Sequence, residues 1–222
     1  MNAAEPPRRG AGGRPPLSRK GDIEERLLDA ATRLFLALGF EGTSCAQVAQ
    51  EARAGKASIY ARYANKTALL TAVIEYKLGR LLEGAAPAPA DAPLRERLLA
   101  AADAVIGQSL QPDAVALLRL IVAEAPRLQS DAVDATRILD RIGGEHIATA
   151  IAARPAATGA DAAADVAAAA APAAALLDSV LAPALLRALL GADLDPLRQG
   201  ARAALGSAVD MLIASGALDG WE

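Results

Sequence analysis

The sequence predicts an all-α fold. Hydrophobic residues make up 53% of the 222 residues but aromatic residues only 3%, and most of the hydrophobic residues are alanine and leucine. Alanine and leucine rank highest among the apolar residues in helix propensity. No stretch shows the sustained alternation of apolar and polar residues that is typical of a half-buried strand. We therefore expect helices throughout, in a chain long enough for one substantial core or two modest ones.

Four helices are predicted in the first third of the chain. Asp22 is a plausible N-cap for the first helix, and Gly39 offers a C-terminal stop. Ser44 and Gln47 form a capping box for the second helix. Asn65 can cap the fourth helix. With the periodicity of the apolar residues, these signals place the helices at about 22–38, 45–52, 56–63 and 65–82.

Five further helices are predicted after a proline-rich break at residues 84–93. Asp91 can cap the first of them, and the Asp195-Pro196 pair marks the start of the last. Pro172 and Pro183 should kink or break the alanine-rich helix in which they lie. The expected positions are about 92–110, 113–125, 130–153, 160–190 and 196–215.

The charge of the chain is divided unequally between its two parts. Residues 1–80 hold 13 Lys and Arg against 8 Asp and Glu, whereas residues 81–222 hold 10 against 18, which gives the net charge of −3. Because residues 1–80 are basic and the rest of the chain is acidic, we expect only residues 1–80 to contact a polyanion. Residues 1–20 carry five basic residues among Gly and Pro and are predicted to form a disordered arm. Such an arm is either a solubilising leader or a contact to the phosphate backbone or minor groove of DNA.

Composition also bears on compartment and chemistry. The single cysteine, Cys45, excludes an intramolecular disulfide, and the first twenty residues lack the apolar segment of a signal peptide. The longest uncharged apolar run, residues 166–177, is too short to span a bilayer. We therefore expect a cytoplasmic protein without membrane contact. A small buried residue is enough to explain Cys45, and a redox-sensing thiol is the alternative.

An enzyme is not expected. One histidine and one cysteine exclude metal sites with several His or Cys ligands, and neither a phosphate loop nor a dinucleotide fingerprint is present. No catalytic residue, metal or cofactor is therefore predicted.

Residues 43–70 read as two short helices joined by a tight turn and followed by a third. In the second of these helices, Ile59 and Tyr63 lie four residues apart and should face inward. The outward face would carry small residues, which let a helix backbone approach base edges in a major groove. Ser58 could hydrogen-bond a base, and Ala57 could touch a thymine methyl group. A similar helix pair also occurs in bundles that bind no DNA.

Phosphate contacts are predicted at the edges of the same unit. Tyr60, Arg62 and Lys56 are better placed for phosphates than for bases. Thr43 and Lys66 lie at helix N-termini, which attract anions. The residues predicted to contact DNA are thus Thr43, Lys56, Ala57, Ser58, Tyr60, Arg62 and Lys66.

The segment from Asp22 to about Leu82 resembles the N-terminal domain of the TetR family of bacterial transcriptional regulators. The residues that carry the resemblance are Gly39-Phe40, Thr43, Val48-Ala49, Lys56-Ala57-Ser58-Ile59-Tyr60, Tyr63, and Asn65-Lys66 before Ala68-Leu69-Leu70. It implies a helix-turn-helix DNA-binding domain at 21–82, with an effector-binding and dimerisation domain at 83–222. Such a protein is a homodimeric, ligand-responsive repressor that reads a pseudo-palindromic operator in double-stranded DNA. A constitutive DNA-binding protein without an effector is the alternative.

The resemblance has departures in and around the turn. Arg53 stands where the family usually has the turn glycine, and Gly55 where it usually has a capping serine. The glycine is thus displaced by two positions, and we expect a turn of altered geometry in which Arg53 could add a phosphate contact. Ala61 replaces a frequent aromatic residue and Arg62 a frequent histidine, changes that bear on which operator is read.

For the body, the resemblance implies a four-helix bundle formed by the last two helices of each subunit. The apolar seam expected there is Leu176, Leu177, Val180, Leu181, Leu185, Leu189, Leu205, Val209, Leu212 and Ile213. These residues could instead pack only within the subunit. The segment Leu117 to Leu128 loosely resembles a subset of the family associated with efflux and multidrug responses.

An effector pocket is expected between the central helices. It should be apolar and take a small hydrophobic or cationic effector, with Glu124 as the candidate contact to a cation. For any single residue a plain core position is the better interpretation, and His146 is more typical of a core edge than of a ligand contact. The candidate lining residues are Leu98, Ala102, Val105, Leu117, Leu120, Ile121, Glu124, Ile138, Ile142, His146 and Leu177.

Overall fold

A computed structural model describes residues 17–80, 91–128, 143–153 and 160–221. These residues form ten α-helices and no strand, which confirms the predicted fold class. The helices are α1 (Leu17–Gly42), α2 (Cys45–Glu51), α3 (Lys56–Tyr60), α4 (Lys66–Arg80), α5 (Leu94–Ser109), α6 (Pro112–Leu128), α7 (Gly144–Ala152), α8 (Ala160–Ala168), α9 (Ala170–Leu189) and α10 (Leu194–Ala214).

The first helix begins earlier than predicted. α1 begins at Leu17, inside the segment expected to be a disordered arm, and residues 1–16 of that arm lie outside the described residues. At the other end Gly39 has non-helical backbone angles, φ +73° and ψ 177°, and interrupts α1 with a kink at the position predicted for its stop. Beyond the kink, Phe40 turns back onto Phe35, and their rings stack with centroids 6.0 Å apart. The kink thus places the last turn of α1 against its own apolar face.

Several helix ends in the body differ from the prediction. α5 begins after Pro93, whose carbonyl accepts from the amides of Glu96 and Arg97, so Asp91 is not its cap. α10 is capped by Asp193, whose side chain accepts from the amide of Asp195 at 3.2 Å. Of the predicted helix at 130–153, the described part is α7.

The two prolines of the alanine-rich helix act differently. The predicted helix at 160–190 is interrupted at Ala169, before Pro172, which lies in the first turn of α9. A proline is tolerated there because a first-turn amide has no partner within the helix. Pro183 lies inside α9 and does not end it.

By length and composition alone, α9 could cross a membrane, with a mean hydropathy of 1.4 over its most apolar window. The bent pair α5 and α6, broken by 72°, would also pass that test if counted as one span. A core helix of a soluble protein passes the same test, and one side of α9 is buried in the body. Its buried residues are Ala173, Leu176, Val180, Leu181, Ala184 and Ala188.

The described helices form two hydrophobic cores that share α6. The first core joins α1 to α4 and also takes Leu117, Ile121 and Leu128 of α6. The second core joins α5, α7, α9 and α10 and takes Val115 at the start of α6. Because α6 contributes side chains to both cores, a movement of α6 relative to the second core would also shift the side chains that pack against α1 and α4.

Candidate nucleic-acid interface

The capping box predicted at the start of α2 is present. Ser44 Oγ accepts from the amide of Gln47 at 3.2 Å, and the Ser44 amide donates to Gln47 Oε1 at 2.8 Å. Cys45, Val48 and Ala49 then face the first core. Burial raises the pKa of the Cys45 thiol, which disfavours the reactive thiolate. The structural interpretation of Cys45 is thus favoured over a redox-sensing role.

In the turn between α2 and α3 the left-handed residue is Arg53 and not the displaced glycine. Arg53 has φ +51°, in the left-handed region, whereas Gly55 has φ −68° and serves as the N-cap of α3. A non-glycine residue in the left-handed region costs about 1–2 kcal/mol, because its Cβ crowds the backbone. The backbone strain of the turn is therefore carried by an exposed arginine.

We expect Arg53→Gly to stabilise the protein by about 0.5–1 kcal/mol, since relief of the strain exceeds the added flexibility of the unfolded chain. For a chain of this size, the midpoint of thermal unfolding should rise by roughly 1–4 °C. Arg53→Ala is the matched control, because it removes the same charge but keeps the Cβ. An equal rise in the unfolding midpoint of the Arg53→Ala variant would show that loss of the charge, and not relief of backbone strain, stabilises the protein.

The outward face of α3 is the one that the residue spacing predicted. Ile59 and Tyr63 are buried, whereas Lys56 and Ala57 are exposed and Tyr60 is 56% exposed. Ser58 is half-buried. This face combines two small side chains with a cation and a phenol, which suits close approach to a base edge flanked by phosphates.

The third helix is shorter than predicted and ends at Tyr60 instead of Tyr63. The amides of Arg62 and Tyr63 both donate to the carbonyl of Ile59, at 3.0 and 2.9 Å, which tightens the last turn. The guanidinium of Arg62 folds back and donates to the Ser58 carbonyl at 2.9 Å. Arg62 is therefore half-buried at the end of α3 rather than extended into solvent.

The Thr43 side chain is turned into the protein. Thr43 is only 2% exposed, and its hydroxyl donates to the Gly39 carbonyl at 2.8 Å. The kink at Gly39 has left that carbonyl outside the regular helical pattern, and the Thr43 hydroxyl satisfies it. Thr43 therefore shapes the entry to α2.

The ammonium of Lys66 already has three contacts inside the protein. Nζ donates to the Phe40 carbonyl at 2.7 Å, lies 4.3 Å from the centroid of the Phe40 ring and is 3.6 Å from the Glu41 carboxylate. The predicted cap is present just before it, where Asn65 Oδ1 accepts from the Ala68 amide at 2.7 Å. Lys66 thus joins the start of α4 to the end of α1. A DNA phosphate would have to share the Lys66 ammonium with the Phe40 carbonyl and the Glu41 carboxylate.

The end of α6 touches the same place. Arg127 forms an ion pair with Glu41, lies 3.1 Å from Glu124 and holds its guanidinium 5.4 Å from the centroid of the Phe40 ring. The hydrogen bond and charge of Arg127 lower the pKa of Glu41 below its ordinary value. Glu124, the predicted contact to a cationic effector, is therefore paired with a cation of its own helix.

The residues predicted to line an effector pocket do not surround one cavity. Leu98 and Val105 are fully buried in the second core, together with Ala102. Leu177 lines an open groove between α6 and α9. His146 is half-buried, and burial lowers its pKa below 6.5.

Of the predicted lining residues that the structure describes, Leu117 and Ile121 line the cavity between the two cores. Leu120 packs against the first core, and Ile138 and Ile142 lie outside the described residues. The reason for the difference is that α6 faces α1 and α4, so its apolar side is shared between the cores and does not point into the body alone.

Residues 27–73 match the family model described as bacterial regulatory proteins, tetR family. This segment contains α2, the turn and α3. This part of the chain is similar to TetR-family regulatory proteins. The described helices as a whole have the fold of TetR-family regulators.

Solved structures are similar over most of the chain. A TetR-family transcriptional regulator from Mesorhizobium loti is 20% identical with a TM-score of 0.66, covering 89% of this chain and 98% of its own. A TetR transcription regulator from Haloarcula marismortui is 20% identical with a TM-score of 0.63, covering 86% and 98%. The flavonoid-responsive regulator FrrA is 22% identical with a TM-score of 0.59, covering 88% and 97%. A comparison with curated proteins finds no match.

Proposed function

We propose that this protein is a cytoplasmic, homodimeric and ligand-responsive transcriptional repressor, not an enzyme, that reads a pseudo-palindromic operator. The observation that carries the proposal is the outward face of α3, where Lys56, Ala57 and Tyr60 are exposed on a TetR-family domain. No group of three or more His, Cys, Asp or Glu that could hold a metal ion occurs among the described residues. Two such faces, one helical turn of DNA apart, would read two half-sites.

The dimer interface that we propose differs from the seam expected from the sequence. Five of the ten seam residues are buried in the subunit's own core: Leu176, Val180, Leu181, Leu205 and Val209. The opposite face of α9 and α10 is exposed and is mostly small or apolar. It consists of Ala175, Ala182, Leu186, Leu190, Ala203, Ala204, Ser207 and Met211, which we call the α9–α10 face.

The α9–α10 face has the composition of a helical-bundle contact. Leu186 and Leu190 are 60% and 81% exposed, and Met211 is also largely exposed. Exposed apolar patches of this kind mark interaction sites. The alanines between the large side chains would allow the helices of two subunits to approach closely. A second copy of the chain therefore covers this face in the proposed dimer.

The contacts of α3 can be tested with oligonucleotides selected for binding from a random pool. We expect Ser58→Ala to relax discrimination at one position in each half-site, by about 1–3 kcal/mol if Ser58 reads a base. We expect Lys56→Met to weaken binding to all sequences and to lower the salt slope by about one per half-site. Fluorescence anisotropy over a range of salt concentrations measures both effects. An unchanged sequence preference in the Ser58→Ala variant would show that Ser58 does not contact a base edge and that the proposed orientation of α3 on DNA is wrong.

The alternative is a constitutive DNA-binding protein without an effector. The observation that favours a ligand response is the cavity of about 480 Å³ between the DNA-binding domain and the body. Its volume lies within the range of small-molecule sites. A ligand bound there would contact both parts at once, and it would weaken DNA binding if it preferred the wrong spacing of the two α3 helices.

A further inference from the structure

The cavity lies at the joint between the two parts of the molecule and outside the core of the body. α1 and α4 form one side, the corner between α5 and α6 forms the other, and Leu185 of α9 closes one end. Because the walls come from both cores, the shape of the cavity changes whenever α6 moves relative to α1 and α4.

A buried hydroxyl in this cavity has no internal partner. Ser109, the last residue of α5, is 4% exposed, and its Oγ has no hydrogen bond to any residue that the structure describes. A buried polar group without a partner is destabilising. The other buried hydroxyl of the wall is already used, because Thr32 donates to the Leu28 carbonyl at 2.7 Å. Because Ser109 lines the cavity, a change of its side-chain rotamer would bring this unpartnered hydroxyl to a bound molecule.

The rest of the lining is apolar with a charged rim. The apolar wall consists of Leu36, Leu78, Leu117, Leu118, Ile121 and Leu185. The rim carries the carboxylates of Glu25, Asp29 and Asp113 against the cations of Lys77 and Arg80.

Two of the three carboxylates are paired across α1 and α4. Arg80 lies 2.8 Å from Glu25, and Lys77 lies 3.8 Å from Asp29. Asp113, in the first turn of α6, adds the third negative charge and leaves the rim one charge negative. The electrostatics of the rim thus favour a cation over an anion.

We propose that this interdomain cavity is the effector site, and that the effector is a compact apolar molecule with one protonated amine. The apolar part packs against the leucines, and the amine lies near Asp113 and donates to Ser109 Oγ. The inference rests on the ligand response in the proposed function and adds the position and the chemical class of the ligand. Its polar contacts are on α5 and α6 and its apolar contacts on α1, α4, α6 and α9, so the bound molecule links the two cores.

Three probes of similar size test the charge preference: 4-phenylbutylamine, 4-phenylbutanol and 4-phenylbutyrate. Isothermal titration calorimetry on the full-length protein should rank the amine first and the carboxylate last. The amine should also raise the midpoint of thermal unfolding, because it binds the folded state alone. A preference for the carboxylate, or no binding of any of the three, would overturn the inference.

Variants of the lining test the position of the site. Ser109→Ala should weaken amine binding about tenfold without loss of thermal stability, since its hydroxyl has no partner among the described residues. Asp113→Asn should weaken the amine but not the alcohol, whereas Glu145→Gln, on the exposed side of α7, should change neither. Ala114→Phe should fill the cavity and abolish binding of both.

The outcome separates this inference from the proposed function. If the lining variants bind the amine as the unmodified protein does, the site lies elsewhere and the inference is overturned, while operator binding remains a separate measurement. If no duplex from a random pool is bound at low salt, the regulator proposal fails. Calorimetry of the amine still reports on the cavity in that case.

Discussion

Replacing Leu186 and Leu190 with aspartate is expected to give a folded monomer that binds operator DNA at least about 100-fold more weakly. Both side chains project from the α9–α10 face, so the substitutions leave the subunit's own core unchanged. Buried in a dimer, four new carboxylates would be desolvated without partners, which is strongly unfavourable. A monomer contacts one half-site and loses the affinity that simultaneous binding of two half-sites provides.

Light scattering should then give a mass near 22.6 kDa for the variant and twice that value for the unmodified protein. Ala163→Asp with Ala167→Asp is the control, because it adds the same charge to the exposed face of α8. The control should remain dimeric and bind operator normally. A variant at 186 and 190 that stays dimeric would place the interface on another surface.

Replacing Lys66 with methionine is expected to destabilise the DNA-binding domain by about 2–3 kcal/mol. The substitution removes the hydrogen bond to the Phe40 carbonyl and the cation above the Phe40 ring, while the length of the side chain is kept. The midpoint of thermal unfolding should fall by roughly 5–10 °C. Circular dichroism at 222 nm measures it directly.

Lys56→Met is the matched control for this experiment, because Lys56 is an exposed cation on the adjacent α3. It should lower DNA affinity and the salt slope with little change in the unfolding midpoint. The opposite pattern in Lys66→Met, a normal midpoint with a reduced salt slope, would show that Lys66 acts mainly as a phosphate contact. The sequence-based prediction would then be the correct one.

Features that depend on neighbouring residues could be predicted from the sequence. The capping box of Ser44 and Gln47 and the Asn65 cap are each made by residues three positions apart, and both are present. The division of α3 into an inward face with Ile59 and Tyr63 and an outward face follows from helical periodicity. These contacts need no knowledge of distant parts of the chain.

Features that depend on distant residues could not be predicted. The left-handed backbone of Arg53 is one such feature, because the residues near the turn do not specify which of them takes a positive φ. The effector residues were placed in one pocket because nothing local shows that α6 is shared between two cores. The sequence did contain a signal for the pairing of α1 with α4. Glu25 and Asp29 lie four residues apart on α1, and Tyr76 and Arg80 lie four residues apart on α4, so each pair forms one polar face.

The sequence by itself therefore determined that the chain is helical, where the α2–α3 helix pair lies and which side of α3 faces outward, because these depend on contacts within one or two turns. The tertiary structure alone decided the partners of Thr43 and Lys66 and the exposed face of α9 and α10. It alone brought Thr32, Lys77 and Ser109 to one cavity. Such groupings arise only when helices far apart in the chain pack together, and the cost of burying each polar group then selects its partner.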